Sequence, residues 1–228
     1  MIIDCISDLH GSYPRLYGGD LLIIAGDLTA RDKIDEYFYF RDWLLSLDYK
    51  KKIIIAGNHD GKIEDGTFYF SNQWLGANYL CDSETEFEGL RIWGSPWTPT
   101  FCNWHFMLNR GDEIKAKWDL IPAETDILVT HGPPFGTLDV NSDGAHVGCE
   151  MLKLAVERVK PKLHVFGHIH ECGGHKLYNN QCEVTSDFMQ DVYGNISANV
   201  ISYGTVSVNA AIMDRDYEPT NRPQRIIL

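Results

Sequence analysis

The chain has 228 residues, 44% of them hydrophobic and 23% charged, which is enough to bury one substantial core and excludes a disordered tail protein. Asp and Glu number 32 against 20 Lys and Arg, and the resulting net charge of −12 repels nucleic-acid backbones and anionic membranes. No stable nucleic-acid complex and no membrane association are expected, and a phosphate-bearing ligand would need a local positive centre such as bound metal ions.

In chain order, short apolar runs at 2–7, 21–25 and 52–56 predict buried strands, and the apolar spacing over 34–47 predicts a helix between the second and third. Around Tyr79, 85–87 and 90–93, shorter strand candidates separated by polar turns read as hairpins. Strands are expected again at 126–130 and 163–166, on either side of a helix over 149–159. The candidates at 175–178, 200–203, 206–209 and 226–228 resemble the hairpin region. This pattern predicts an α/β fold, a four-layer α-β-β-α sandwich of two mixed sheets flanked by helices. No repeat or linker divides the chain, so 1–228 is read as one domain.

The longest apolar runs fall far short of the roughly 20 residues that span a bilayer. The start MIIDCISDLHG has neither a basic leader nor a long apolar stretch, so a cytoplasmic location is expected. Six scattered cysteines, Cys5, Cys81, Cys102, Cys149, Cys172 and Cys182, form no C-x-x-C pair, which predicts free thiols and not a zinc ribbon or disulfide framework.

Polar residues follow five of the strand candidates directly: Asp8-Leu9-His10, Gly26-Asp27, Gly57-Asn58-His59-Asp60, Thr130-His131-Gly132 and Gly167-His168-Ile169-His170. In a parallel sheet such strand ends converge on one edge, where α/β proteins place ligands. Taken singly, D-x-H or G-D is an ordinary turn signature. Together, Asp8, His10, Asp27, Asn58, His131, His168 and His170 offer carboxylate, amide and imidazole donors. Such a set suits intermediate divalent ions better than calcium, and seven donors suit two ions about 3.5 to 4 Å apart better than one.

These motifs in this order resemble the calcineurin-like metallophosphoesterase superfamily over residues 2–170. Further stretches, among them Gly94-Ser95-Pro96-Trp97 and Pro219-Thr220-Asn221, resemble the small metallophosphoesterase-domain (class III type) phosphodiesterases. The segment 181–199 is longer than the hairpin expected there; covering the site and mediating a homodimer are both open roles for it. The resemblance implies a first metal held by Asp8, His10, Asp27 and His170 and a second by Asp27, Asn58, His131 and His168. Manganese is the foremost expectation, with iron, zinc, cobalt or magnesium as alternatives. It also implies that His59 is nonligating, placed to stabilise the phosphoryl group or protonate the leaving oxygen, and that Asp60 orients His59 by accepting its other N–H.

The expected reaction is in-line attack of a metal-bridging hydroxide on a small phosphodiester such as a cyclic nucleotide, 2′,3′-cyclic ones included. A phosphomonoesterase, protein phosphatase or nuclease of the same superfamily, and a non-catalytic scaffold with the same fold, are the alternatives. Trp93, Trp97, Phe101, Trp104 and His105 could form a base-stacking wall or belong to a core or oligomer interface.

Overall fold

The apolar runs are continuous because each strand they form is covered on both faces. In a computed structural model, which describes the backbone of residues 1–178, 184–190, 196–200 and 204–228 and the side chains outside 175–203, they pair into two mixed sheets. The elements are β1 (Ile2–Ile6), β2 (Gly19–Ala25), α1 (Ile34–Leu45), β3 (Tyr49–Ile55), α2 (Gly61–Glu64), α3 (Asn72–Leu75), β4 (Asn78–Tyr79), β5 (Ser83–Phe87), β6 (Leu90–Ser95), β7 (Thr98–Pro99) and β8 (Met107–Leu108). They continue with α4 (Asp112–Trp118), β9 (Ile127–Thr130), α5 (Glu150–Val159), β10 (Leu163–Phe166), β11 (His175–Tyr178), β12 (Val184–Gln190), β13 (Ile196–Val200), β14 (Val206–Asn209) and β15 (Gln224–Ile227).

One sheet has the order β12-β13-β15-β1-β2-β3-β4 and the other β11-β14-β10-β9-β6-β5. Within the first, β1, β2 and β3 are parallel, with Ile3 opposite Leu21 and Ile23 opposite Ile53. Within the second, β9 and β10 are parallel, and β5 and β6 form the antiparallel hairpin expected from the sequence. β4 departs from that hairpin reading, because it joins β3 in parallel.

Alternate residues of each strand face different layers. Ile23, Ala25, Ile53 and Ile55 meet Ile127, Val129, Leu163 and Val165 between the sheets. Leu22, Ile24 and Ile54 face outward onto Tyr37, Phe40 and Leu44 of α1, and Leu128 faces outward onto α4 and α5 through Ile114, Trp118 and Leu152. The layers are therefore helix, sheet, sheet, helix. The helix over 150–159 buries Leu152, Ala155 and Val159 but leaves Leu154 exposed, since the register of the 3.6-residue turn carries that position to solvent. Residues 201–203 of the strand candidate at 200–203 and part of the segment 181–199 lie outside the described residues, as does Cys182, while residue 200 ends β13; Cys81, Cys102 and Cys149 are free thiols. Among the described residues no helix is long and apolar enough to cross a membrane.

Candidate metal centre

Three neighbouring strands of the first sheet deliver site residues from their carboxyl ends: β1 leads to Asp8 and His10, β2 to Asp27, and β3 to Asn58, His59 and Asp60. In the second sheet β9 leads to His131 and β10 to His168 and His170. All seven expected ligands come together, and they come from both sheets. Asp27 stands between two groups. Its Oδ2 lies 3.5 Å from His10 Nε2, and its Oδ1 lies 3.4 Å from His131 Nε2. On the His10 side, His170 Nε2 is 3.4 Å from Asp8 Oδ1, and the His10 and His170 rings are 5.3 Å apart. On the other side, Asn58 Oδ1 is 2.9 Å from His131 Nε2, and the His168 ring is 5.0 Å from that of His131.

The backbone is bent to aim these groups. Asp8, His10, Asp27 and His168 have φ of 55°, 42°, 54° and 69°, a left-handed conformation that costs a non-glycine residue about 1–2 kcal/mol. Local bonds hold it: Asp8 N–H donates to Gly26 O and His10 N–H to Asp27 O, each over 3.0 Å, and His168 N–H donates to the Asp8 carboxylate over 2.9 Å. Gly57 and Gly167 are required by close approach, because a Cβ at the first would collide with Asp27 Oδ1 and at the second with Asp8 Oδ2.

Main-chain carbonyls fix the imidazole tautomers. A carbonyl only accepts, so His131 Nδ1 donates to Ala25 O over 2.9 Å, His170 Nδ1 to Asp214 O over 3.2 Å and His59 Nδ1 to Ala30 O over 3.1 Å. Each ring is thus held with Nε2 for the centre. Ala30 is itself positioned by Glu36 in the first turn of α1, whose carboxylate accepts the N–H of Ala30 and of Lys33, each over 2.9 Å.

The electrostatics are those of a cation site. Burial alone would raise the Asp8 carboxyl, but the hydrogen bond and charge of His170, with His131 behind, bring it down to about 2. Burial likewise opposes ionisation of Asp27, and the charges of His131 and His10 hold it well below the carboxylate range. Burial would lower His131, but Asp27 beside it raises it to about 9, whereas burial together with the His131 charge pushes His168 down to about 3. His10 Nε2 is buried with no hydrogen-bond partner, a donor atom left for something other than protein. Oxygen and imidazole donors around one shared carboxylate fit two divalent ions.

Residues 1–172 match the calcineurin-like phosphoesterase family. The chain belongs to that family. It is 39% identical to human Metallophosphoesterase domain-containing protein 1, over 96% of this chain and 68% of that protein. It is 41% identical to UPF0046 protein C25E10.12 of Caenorhabditis elegans, over 75% of this chain and 69% of that protein. The solved structure of TT1561 of Thermus thermophilus shares the fold, with a TM-score of 0.55 at 15% identity, over 78% of this chain and 84% of that one.

In this calcineurin-like phosphoesterase the centre floors a cavity of about 390 Å³. The small parallel ribbon of β7 and β8 brings Phe101 and Trp104 to the cavity wall, the loop before α5 contributes Val147 and Gly148, and Tyr217 lines it from the C-terminal side. Trp104 stacks on His59 with ring centroids 4.3 Å apart. The aromatic set read from the sequence is therefore divided: Trp93 is buried against α4 and α5, Trp97 donates to Asp82, and His105 faces Glu64.

The expectation that Asp60 orients His59 is corrected. The Asp60 carboxylate is wholly buried beneath the loops and accepts the N–H groups of Leu28, Thr29 and Gly57 at 3.1, 3.1 and 2.8 Å. These loop amides have no strand partner, so a carboxylate satisfies them, and the imidazole finds the Ala30 carbonyl instead. Burial first, and Asp27 second, push the Asp60 carboxyl up to about 7 against those amides. Sequence reasoning missed Tyr217, Asp214 and Arg110. The quoted Pro219-Thr220-Asn221 stretch, two residues beyond Tyr217, was the nearest signal.

Proposed function

We propose that this metal-dependent phosphoesterase hydrolyses small phosphodiesters, cyclic nucleotides with a 2′,3′-cyclic phosphate among them. The reading rests on what walls the cavity beyond the ligands. Phe101, Trp104 and Tyr217 are 41%, 45% and 58% exposed there and offer apolar surface to organic ester groups. Arg110 is the one Lys or Arg among the described lining residues, and its guanidinium already donates to Val147 O, Gly148 O and Glu150 at 2.7, 2.8 and 2.6 Å. A phosphomonoester brings a second negative charge for which this wall has no unspent cation. A diester brings an organic group in its place.

Asp8, His10, Asp27 and His170 would hold one divalent ion, and Asp27, Asn58, His131 and His168 the other. Two divalent ions held there would supply an activated water as nucleophile and positive charge for the phosphoryl oxygens. The carbonyls of Ala25 and Asp214 hold His131 and His170 in ligating tautomers. His59, tied to Ala30 O through Nδ1–H, turns Nε2 to the substrate, and in its imidazolium form it gives the Nε2 proton to the departing oxygen and is left as the neutral Nδ1–H ring. The wall of Phe101, Trp104 and Tyr217 excludes water from the ester's organic side. Manganese is the proposed ion and the cytoplasm the proposed location.

The test is turnover of a bis-aryl phosphate, an aryl monophosphate and 2′,3′-cyclic nucleotides by protein loaded with manganese. Diester turnover exceeding monoester turnover is expected. Turnover of the monoester alone overturns the reading.

A further inference from the structure

Tyr217 is more exposed than Phe101 and Trp104, the other large aromatic residues lining the cavity. It is 58% exposed and so contributes little to the core, yet its backbone is held at φ 61°, the conformation shared by Asp8, His10, Asp27 and His168 at the centre. An aromatic residue enters that region at a cost and stays only where its surroundings impose it. Here the turn is imposed by Asp214. The Asp214 carboxylate accepts the N–H of Asp216 and Glu218 at 2.9 and 3.0 Å and the Thr220 hydroxyl at 2.8 Å, while its carbonyl accepts the Tyr217 N–H at 3.0 Å. That same carbonyl accepts His170 Nδ1. The turn therefore sets a ligand and aims a ring in one piece, and the ring lies edge-on to His10 and His170 at 5.2 and 4.8 Å.

Resting on the phosphodiesterase reading, we propose that Tyr217 is a substrate-contacting residue whose ring packs on the organic group of a diester and sets the preference for diesters over monoesters. The ring lines the cavity beside His10 and His170, while Phe101 lies against His168 and Trp104 against His59. The contact is made by the ring face and edge, so the hydroxyl is dispensable for it.

Two variants test this: Tyr217→Gly, which removes the ring at a φ that glycine adopts freely, and Tyr217→Phe, which keeps the ring. Both are loaded with manganese, checked for metal content by elemental analysis, and assayed on bis(p-nitrophenyl) phosphate and p-nitrophenyl phosphate. Tyr217→Gly should keep its metal and lower the diester-to-monoester ratio of kcat/KM by about tenfold, chiefly through KM, and Tyr217→Phe should restore that ratio. An unchanged ratio in Tyr217→Gly, or an equal loss on both substrates together with lost metal, overturns the proposal while the phosphodiesterase reading stands. If the unaltered protein turns over only the monoester, that reading fails and this proposal falls with it.

Discussion

The backbone N–H of His59 donates to Asp27 Oδ1 over 2.8 Å, so the residue proposed to protonate the leaving oxygen is tied to the carboxylate shared by the two halves of the centre. Removal of Asp27 therefore does two things at once. In Asp27→Ala, metal content should fall from about two ions per chain towards none and activity by about a thousandfold or more. Elemental analysis and kcat/KM measured on the same preparation check both.

His59→Gln should leave metal content intact, because the ligand groups on either side of Asp27 stay assembled. Turnover should drop by about 10²- to 10⁴-fold on a substrate with an alkyl leaving group and far less on a p-nitrophenyl ester, whose leaving oxygen needs no proton. Comparison of kcat across leaving groups reads this directly. An unaltered dependence on the leaving group would place the acid elsewhere.

Metal binding should release protons. With its pKa raised to about 9 by Asp27, His131 is protonated at neutral pH in the absence of metal and must be neutral to ligate. The sign follows: affinity rises with pH up to about 9, by about tenfold per unit for each proton released. Calorimetric titration with manganese in buffers of different ionisation enthalpy counts the protons.

Asp60→Ala should act on stability more than on metal chemistry. It strands the N–H groups of Leu28, Thr29 and Gly57 beneath the site. A loss of about 3 kcal/mol, or about 6–12 °C in Tm for a domain of this size, is expected. Differential scanning calorimetry tests it, and a Tm within a degree of the unaltered protein would show the amides satisfied otherwise.

The layers and the convergence of the candidate ligand residues were legible in the sequence for one reason. Runs such as Leu21 to Ala25 are apolar on both faces and end abruptly in a charged or imidazole side chain, so they report strand, burial and site together. The second half of the site was less legible. Asp60 sits in the same motif as His59, and sequence spacing cannot say that its carboxylate turns down to loop amides. Tyr217 is brought to the cavity by a turn that depends on the side chain of Asp214 and leaves no apolar period to read. Phe101 and Trp104 look like Trp93 in sequence; only the β7 and β8 ribbon separates wall from core.

Asp8 from the first sheet meets the His168 amide from the second across 160 residues of chain. A set of donors drawn together over such a span is complete only once the loop after β10 has been made and brought beside Asp8, and the first sheet itself closes later still, when β15 pairs with β1. Ions held by the full set would therefore act as a late clasp on a nearly finished fold and not as the seed around which it condenses.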